Sequence, residues 1–151
     1  PDSLTADSVY RVVSRFAPVA DSEAVAYSFW KVISPLPKPE SEYESIHLDP
    51  VDIQSIWQSG DYLNMVLQVM VKDKEHELSF IDNGITSNAN GTQTLHLTLY
   101  HHRKDDVEGF MQKYYLSVPL WHYQGKLNKG DTIVFELYTY KEGMTQRTFT
   151  Y

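Results

Sequence analysis

Residues 49–64 read DPVDIQSIWQSGDYLN. Two apolar segments flank the polar corner Ser59-Gly60-Asp61, and Trp57 stands at its edge. Gly and Asp supply the dihedrals that a tight turn needs. Beyond the corner the residues alternate: Leu63, Met65, Leu67, Val69 and Val71 occupy one face, and Tyr62, Asn64, Val66, Gln68 and Met70 the other. Period two is the signature of a strand, so the stretch reads as a β-hairpin. Unbroken strand phase before the corner puts Val51, Ile53, Ser55 and Trp57 together, opposite Asp52, Gln54 and Ile56. Trp57 is therefore expected in the core. The functional alternative is an aromatic platform between the carboxylates of Asp49 and Asp61. Both acids, however, suit turns through side-chain bonds to nearby backbone N–H groups.

The same pattern extends outward. Leu95, Leu97 and Leu99 alternate with His96, Thr98 and Tyr100, and similar runs surround Leu116 and Phe135. Segments 50–57, 62–71, 76–81, 93–102, 112–120, 131–140 and 145–150 make about seven strands, the number and spacing of a two-sheet antiparallel β-sandwich. Lys104 to Gln112 is too short and too charged to count as a helix. The chain is all-β. Its first third carries two more strands, 8–16 and 24–34, followed by the stiff stretch Ser34-Pro35-Leu36-Pro37-Lys38-Pro39. Alternating prolines favour an extended connector. The expected organisation is an N-terminal β segment at 1–35, a linker at 36–41 and the sandwich at 42–151. Two strands alone are marginal. This segment must dock on the sandwich, pair with another chain (a homodimer through open strand edges) or belong to a larger domain.

Composition narrows the function classes. Thirteen basic residues stand against twenty acidic ones, for a net charge of −7, the wrong sign for tracking phosphates, so no nucleic-acid partner is expected. With no cysteine, thiol catalysis, disulfides and Cys-type zinc sites drop out. No run approaches the ~20 apolar residues of a membrane span. The sequence opens at Pro1 rather than Met, which leaves room for an upstream targeting segment.

Motifs of chemistry are few. There is no nucleophile elbow, P-loop, dinucleotide fingerprint or HExxH, and Asp105-Asp106 sits in a Lys-rich loop that reads as solvated. No catalytic residue and no cofactor is expected. Adjacent His101 and His102 point to opposite faces of a strand, and His96 lies ~20 Å from His102 along it. A metal would need a ligand from another strand, such as His122 or His76, and none is expected. Asp82-Asn83-Gly84 and Asn88-Ala89-Asn90-Gly91 read as a polar loop with too few carboxylates for calcium. The best ligand surface is Trp121, His122 and Tyr123, with Tyr100. Such aromatics stack on a sugar ring or anchor a protein partner, unless Trp121 or Tyr123 folds back over the end of the sandwich.

The order Asp49-Pro50-Val51-Asp52-Ile53, Ile56-Trp57, Gly60-Asp61-Tyr62-Leu63-Asn64 resembles the C-terminal domain of NigD-like proteins of the Bacteroides group. Leu95-His96-Leu97-Thr98-Leu99, His101, Tyr115-Leu116-Ser117 and Val118-Pro119-Leu120 continue the likeness, which spans about residues 45–125. The resemblance implies an exported cell-envelope protein, typically a lipoprotein anchored upstream of Pro1. It also implies a small OB-like barrel, of which 1–35 would be the end, followed by a β-sandwich. It brings no catalytic residues. An immunity role is implied for one member. The expected function is a non-catalytic envelope protein that binds another macromolecule. A glycan-binding module and a structural accessory domain are the alternatives.

Overall fold

The computed structural model describes residues 4–151. Strands β1 (Val12–Ala20) and β2 (Glu23–Lys31) form an antiparallel hairpin, and β3 (Lys38–Pro39) is a short edge segment. The strands that follow are β4 (Asp52–Ser59), β5 (Tyr62–Val71), β6 (Glu77–Ser87), β7 (Gln93–His102), β8 (Phe110–Pro119), β9 (Thr132–Thr139) and β10 (Gly143–Thr150). They build a five-stranded sheet, β10-β9-β7-β6-β3, and a three-stranded sheet, β4-β5-β8. The sandwich read from the sequence is present. One main pairing departs from the antiparallel expectation: β9 lies parallel to β7, because the chain visits the other sheet as β8 before it returns.

Alternation drives the packing. Leu63, Met65, Leu67 and Val69 of β5, with Leu116 and Val118 of β8, face Phe80, Leu97, Ile133 and Phe135 across the core. Each fully buried side chain of this kind contributes about 1.5–3 kcal/mol. A bulge in β4 changes one expectation. Ile53 pairs with Leu67 and Ser55 with Val66, so Gln54 is an extra residue. From there the phase flips. Ile56 meets Met65 at the core face, and Trp57 meets Asn64 on the outer face, 45% exposed. Trp57 is not the core residue that unbroken alternation predicts. A second bulge, between Asp82 and Ile85 with Gly84 at φ +94, carries β6 through the supposed polar loop to Ser87. Non-glycine residues adopt that dihedral rarely.

Residues 47–51 cross between the sheets. They wedge into the five-stranded sheet where β7 and β9 part: Leu48 bridges His101, Val51 bridges Thr139, and both bridges are parallel. The chain then enters the three-stranded sheet as β4. Asp49 does not cap a local turn here. Its carboxylate accepts the Arg103 N–H at 2.9 Å and faces Arg103 Nε at 3.4 Å.

Candidate functional site

The outer face of the three-stranded sheet meets the base of the N-terminal hairpin, whose strands are otherwise exposed. Asn64 and Ser117 are buried polar residues on it, and Arg11 satisfies both: Nη2 donates to Asn64 Oδ1 at 2.9 Å and Nε to Ser117 Oγ at 3.0 Å. The Ser117 hydroxyl donates to the same Asn64 oxygen at 2.7 Å. The Arg11 guanidinium lies 3.7 Å above the Tyr62 ring, a cation–π contact that adds to the bonds. Leaving β2, the chain gives the Val32 N–H to the Arg11 carbonyl. It then runs beside β8, with Ile33 N–H donating to Tyr115 O and Ser117 N–H to Ile33 O. The connector is thus pinned to the sandwich at its first residues.

Between the hairpin and the free edge of β8 lies an open groove of about 980 Å³. Tyr27, Phe29 and Trp30 of β2 line one side and Tyr114 and Tyr115 of β8 the other, with Lys74 and Lys113 among the polar lining residues. Trp30 packs on Tyr115 with ring centroids 5.9 Å apart. Partly exposed aromatics with a polar rim are the composition that anchors partners. The sequence reading missed this surface because its two walls lie far apart in the chain. The tyrosine pair at 114–115 was the available signal.

The four residues singled out from the sequence do not form one exposed surface. They divide between core and solvent. Leu120–Tyr123 is a 3-10 turn in which Tyr123 turns inward, 1% exposed, its hydroxyl donating to Asp82 Oδ2 at 2.9 Å. Burial, then the Asp82 charge, raises its pKa far above the ordinary tyrosine value. Tyr100, 5% exposed, packs on Tyr43 with centroids 4.6 Å apart. Trp121 is 44% exposed and His122 half-buried, their rings edge to face. Tyr123 thus takes the inward course allowed from the sequence, and Tyr100 is covered by the segment that precedes the wedge.

A titratable cluster closes one end of the core. Core-facing phase in β6 and β7 runs His76, Leu78, Phe80 and Leu97, Leu99, His101, so both rings point inward. His76 Nδ1 and His101 Nε2 are 2.9 Å apart, His101 Nδ1 is 2.9 Å from the Asp49 carbonyl, and His76 Nε2 is 3.3 Å from Asp106 Oδ2. Asp106 also accepts the N–H groups of Lys72, Asp73 and Val107. Burial alone would raise its pKa. The backbone bonds from Lys72, Asp73 and Lys74 and the bond from His76 outweigh that and hold it well below the usual carboxylate range. Asp106 is therefore buried and paired, not solvated. Burial lowers the pKa of His101, and the bond to the Asp49 backbone offsets this in part. The two facing nitrogens share a hydrogen bond, so their lone pairs are not turned to a common ion. Among the described residues no group of three or more acids and histidines is arranged to hold a metal.

The comparisons with known proteins agree with this architecture. The family model for the NigD-like C-terminal beta sandwich domain matches residues 34–151. No protein of curated function matches the chain. A crystal structure described as a NigD-like immunity protein from Bacteroides caccae is similar at 32% identity, with a TM-score of 0.78, covering 94% of this chain and 76% of that one. A protein of unknown function from Bacteroides vulgatus shares the fold at 18% identity, with a TM-score of 0.71, covering 94% of this chain and 71% of its own. With its sandwich matched from the connector to the last residue, the chain belongs to the NigD-like family.

Proposed function

We propose that this is a non-catalytic protein of the cell envelope, held there by a lipid anchor upstream, that binds another protein in the manner of an immunity protein. The observation that carries the reading is the 32% identity, over 94% of the chain, to a protein described as a NigD-like immunity protein. Immunity by sequestration asks for a surface rather than a reaction centre. The aromatic groove offers one: Tyr27, Trp30 and Tyr115 are the residue types that dominate binding energy at protein interfaces. A non-catalytic role is supported by the placement of the acid–histidine cluster. The His76 and Asp106 side chains are 1% and 2% exposed, out of reach of a substrate.

The test is affinity capture by the tagged chain from solubilised envelope of the native organism. Each captured protein is then purified and titrated against wild type and a Tyr27→Ala/Trp30→Ala variant. The expected result is one protein whose Kd weakens at least about thirtyfold in the variant, the cost of losing a single hot-spot residue. Material released by free glycans instead would establish the carbohydrate-binding alternative. Equal binding by wild type and variant would remove the groove as the contact surface, and no direct binder at all would leave a structural accessory role.

A further inference from the structure

The buried histidine pair holds a countable number of protons. The Asp49 carbonyl can only accept, so His101 Nδ1 carries a hydrogen. The Asp106 carboxylate, already receiving three backbone N–H groups, also only accepts, so His76 Nε2 carries a hydrogen. Between the rings, 2.9 Å from nitrogen to nitrogen, there is room for one more. With that proton in place the pair carries three ring protons and one shared positive charge, facing Asp106. Such coupled rings titrate as a unit. A fourth proton would set N–H against N–H across 2.9 Å, with both rings charged.

We propose that the His76–His101 pair is an acid-operated latch: three ring protons fasten residues 47–50, 72–76 and 103–106 together at one end of the sandwich, and a fourth releases them.

The groups around the pair leave a fourth proton without support. From the crossing segment come Asp49, already paired with Arg103, and His47, which stacks at 3.6 Å on His102 across the sheet from the latch. From the turn before β6 come Lys72, Asp73, Lys74 and Glu75, followed by Glu77 on the strand; Lys74 Nζ donates to the carbonyls of Lys104 and Asp105. From the loop after β7 come Lys104, Asp105, Asp106 and Glu108. Burial, with the charges of Glu75 and Asp106 behind it, raises the pKa of Tyr114, burial raises that of Tyr140, and Tyr100 adjoins His101 in β7. The two acids nearest the rings are thus each committed, Asp49 to Arg103 and Asp106 to His76. Burial of His101 works in the same direction. The turn that the latch holds carries Lys74 and Glu75, which line the aromatic groove, so release alters that wall whatever the groove binds. Loops tied by few bonds open locally at lower free energy than the core.

The experiment is nitrogen-15 NMR of the histidine rings together with amide exchange on the full chain, from about pH 8 to about pH 4.5. At the upper end, three ring protons on the pair are expected, with His101 protonated at Nδ1. As the fourth proton binds, protection factors in 47–50, 72–76 and 103–109 should fall at least about tenfold while those of β5 and β9 stay constant. The variant His101→Gln, which cannot titrate, should flatten that pH response. If the variant does not fold, the wild-type spectra decide alone. A proton on His101 Nε2 but not Nδ1 at neutral pH, unchanged protection through the titration, or loss of all strands together would each overturn the latch.

Discussion

Gly109 lies where the chain enters β8, and the space that a side chain would take there is already filled. A Cβ at this position would stand 2.8 Å from the Val71 carbonyl oxygen and 3.0 Å from Lys72 Cβ. The need for glycine is therefore steric. Gly109→Ala should cost about 1–3 kcal/mol, as overpacked sites do, measurable as a shift in the urea midpoint at constant slope. The neighbours Ile56 and Trp57 offer a second test at this scale. Ile56 packs against the core while Trp57 stands out. Ile56→Ala should destabilise by about 2 kcal/mol, whereas Trp57→Ala should cost less than about 1 kcal/mol. If the larger side chain proved the costlier loss, the bulge at Gln54 would be wrongly placed.

At the level of the strand, that bulge acts as a phase corrector. Deleting Gln54 would leave Ile53 and Ile56 facing in and Trp57 facing out, because regular alternation then links them directly. Inserting a serine between Ser55 and Ile56 would drive Trp57 inward and Ile56 to water. The expected outcome is a small change in Tm for the deletion and loss of cooperative melting for the insertion. Alternation in β5, β7, β8 and β9 was legible in the sequence because each sets an apolar row on its core face against more polar residues on the other, and period two is then nearly obligatory. Gln54 and the Asp82–Ile85 bulge were not legible, since an extra residue leaves no compositional mark and depends on the partner strand. Of the candidate site, the aromatic character of Trp121 and Tyr123 could be read, but not their direction, which a 3-10 turn decides. His76 meeting His101 needed the β6–β7 register; the continuation of core phase through Leu97, Leu99 and His101 was the clue.

Across the whole molecule, pH sets stability through two groups of the same sign. The folded pKa of His101 is lowered by burial, so the unfolded chain takes up its proton first as pH falls below about 6.5. The stability that the pair confers short of its fourth proton is complete above that value and is lost on acidification toward the folded pKa of His101. Asp106, also lowered, adds a loss that begins near about pH 4, the unfolded carboxylate value. A stability–pH curve with two descending steps on the acid side is expected from urea titrations. The Asp106→Asn variant should remove the lower step.

The crossing segment has a mechanical meaning. Tension applied between the hairpin and β10 enters the sandwich at Ile33 on one sheet and at β3, Leu48 and Val51 on the other, in each case through parallel pairing. Bonds in that arrangement are loaded along the strands and must fail together in shear, where a hairpin end would unzip one bond at a time. Because residues 47–51 belong to one sheet and β4 to the other, a pull that starts to slide the two layers draws the same short piece of chain taut between them. Pulled from its N-terminal side, the sandwich is expected to yield at a higher force than it would to a pull that unzips a hairpin end.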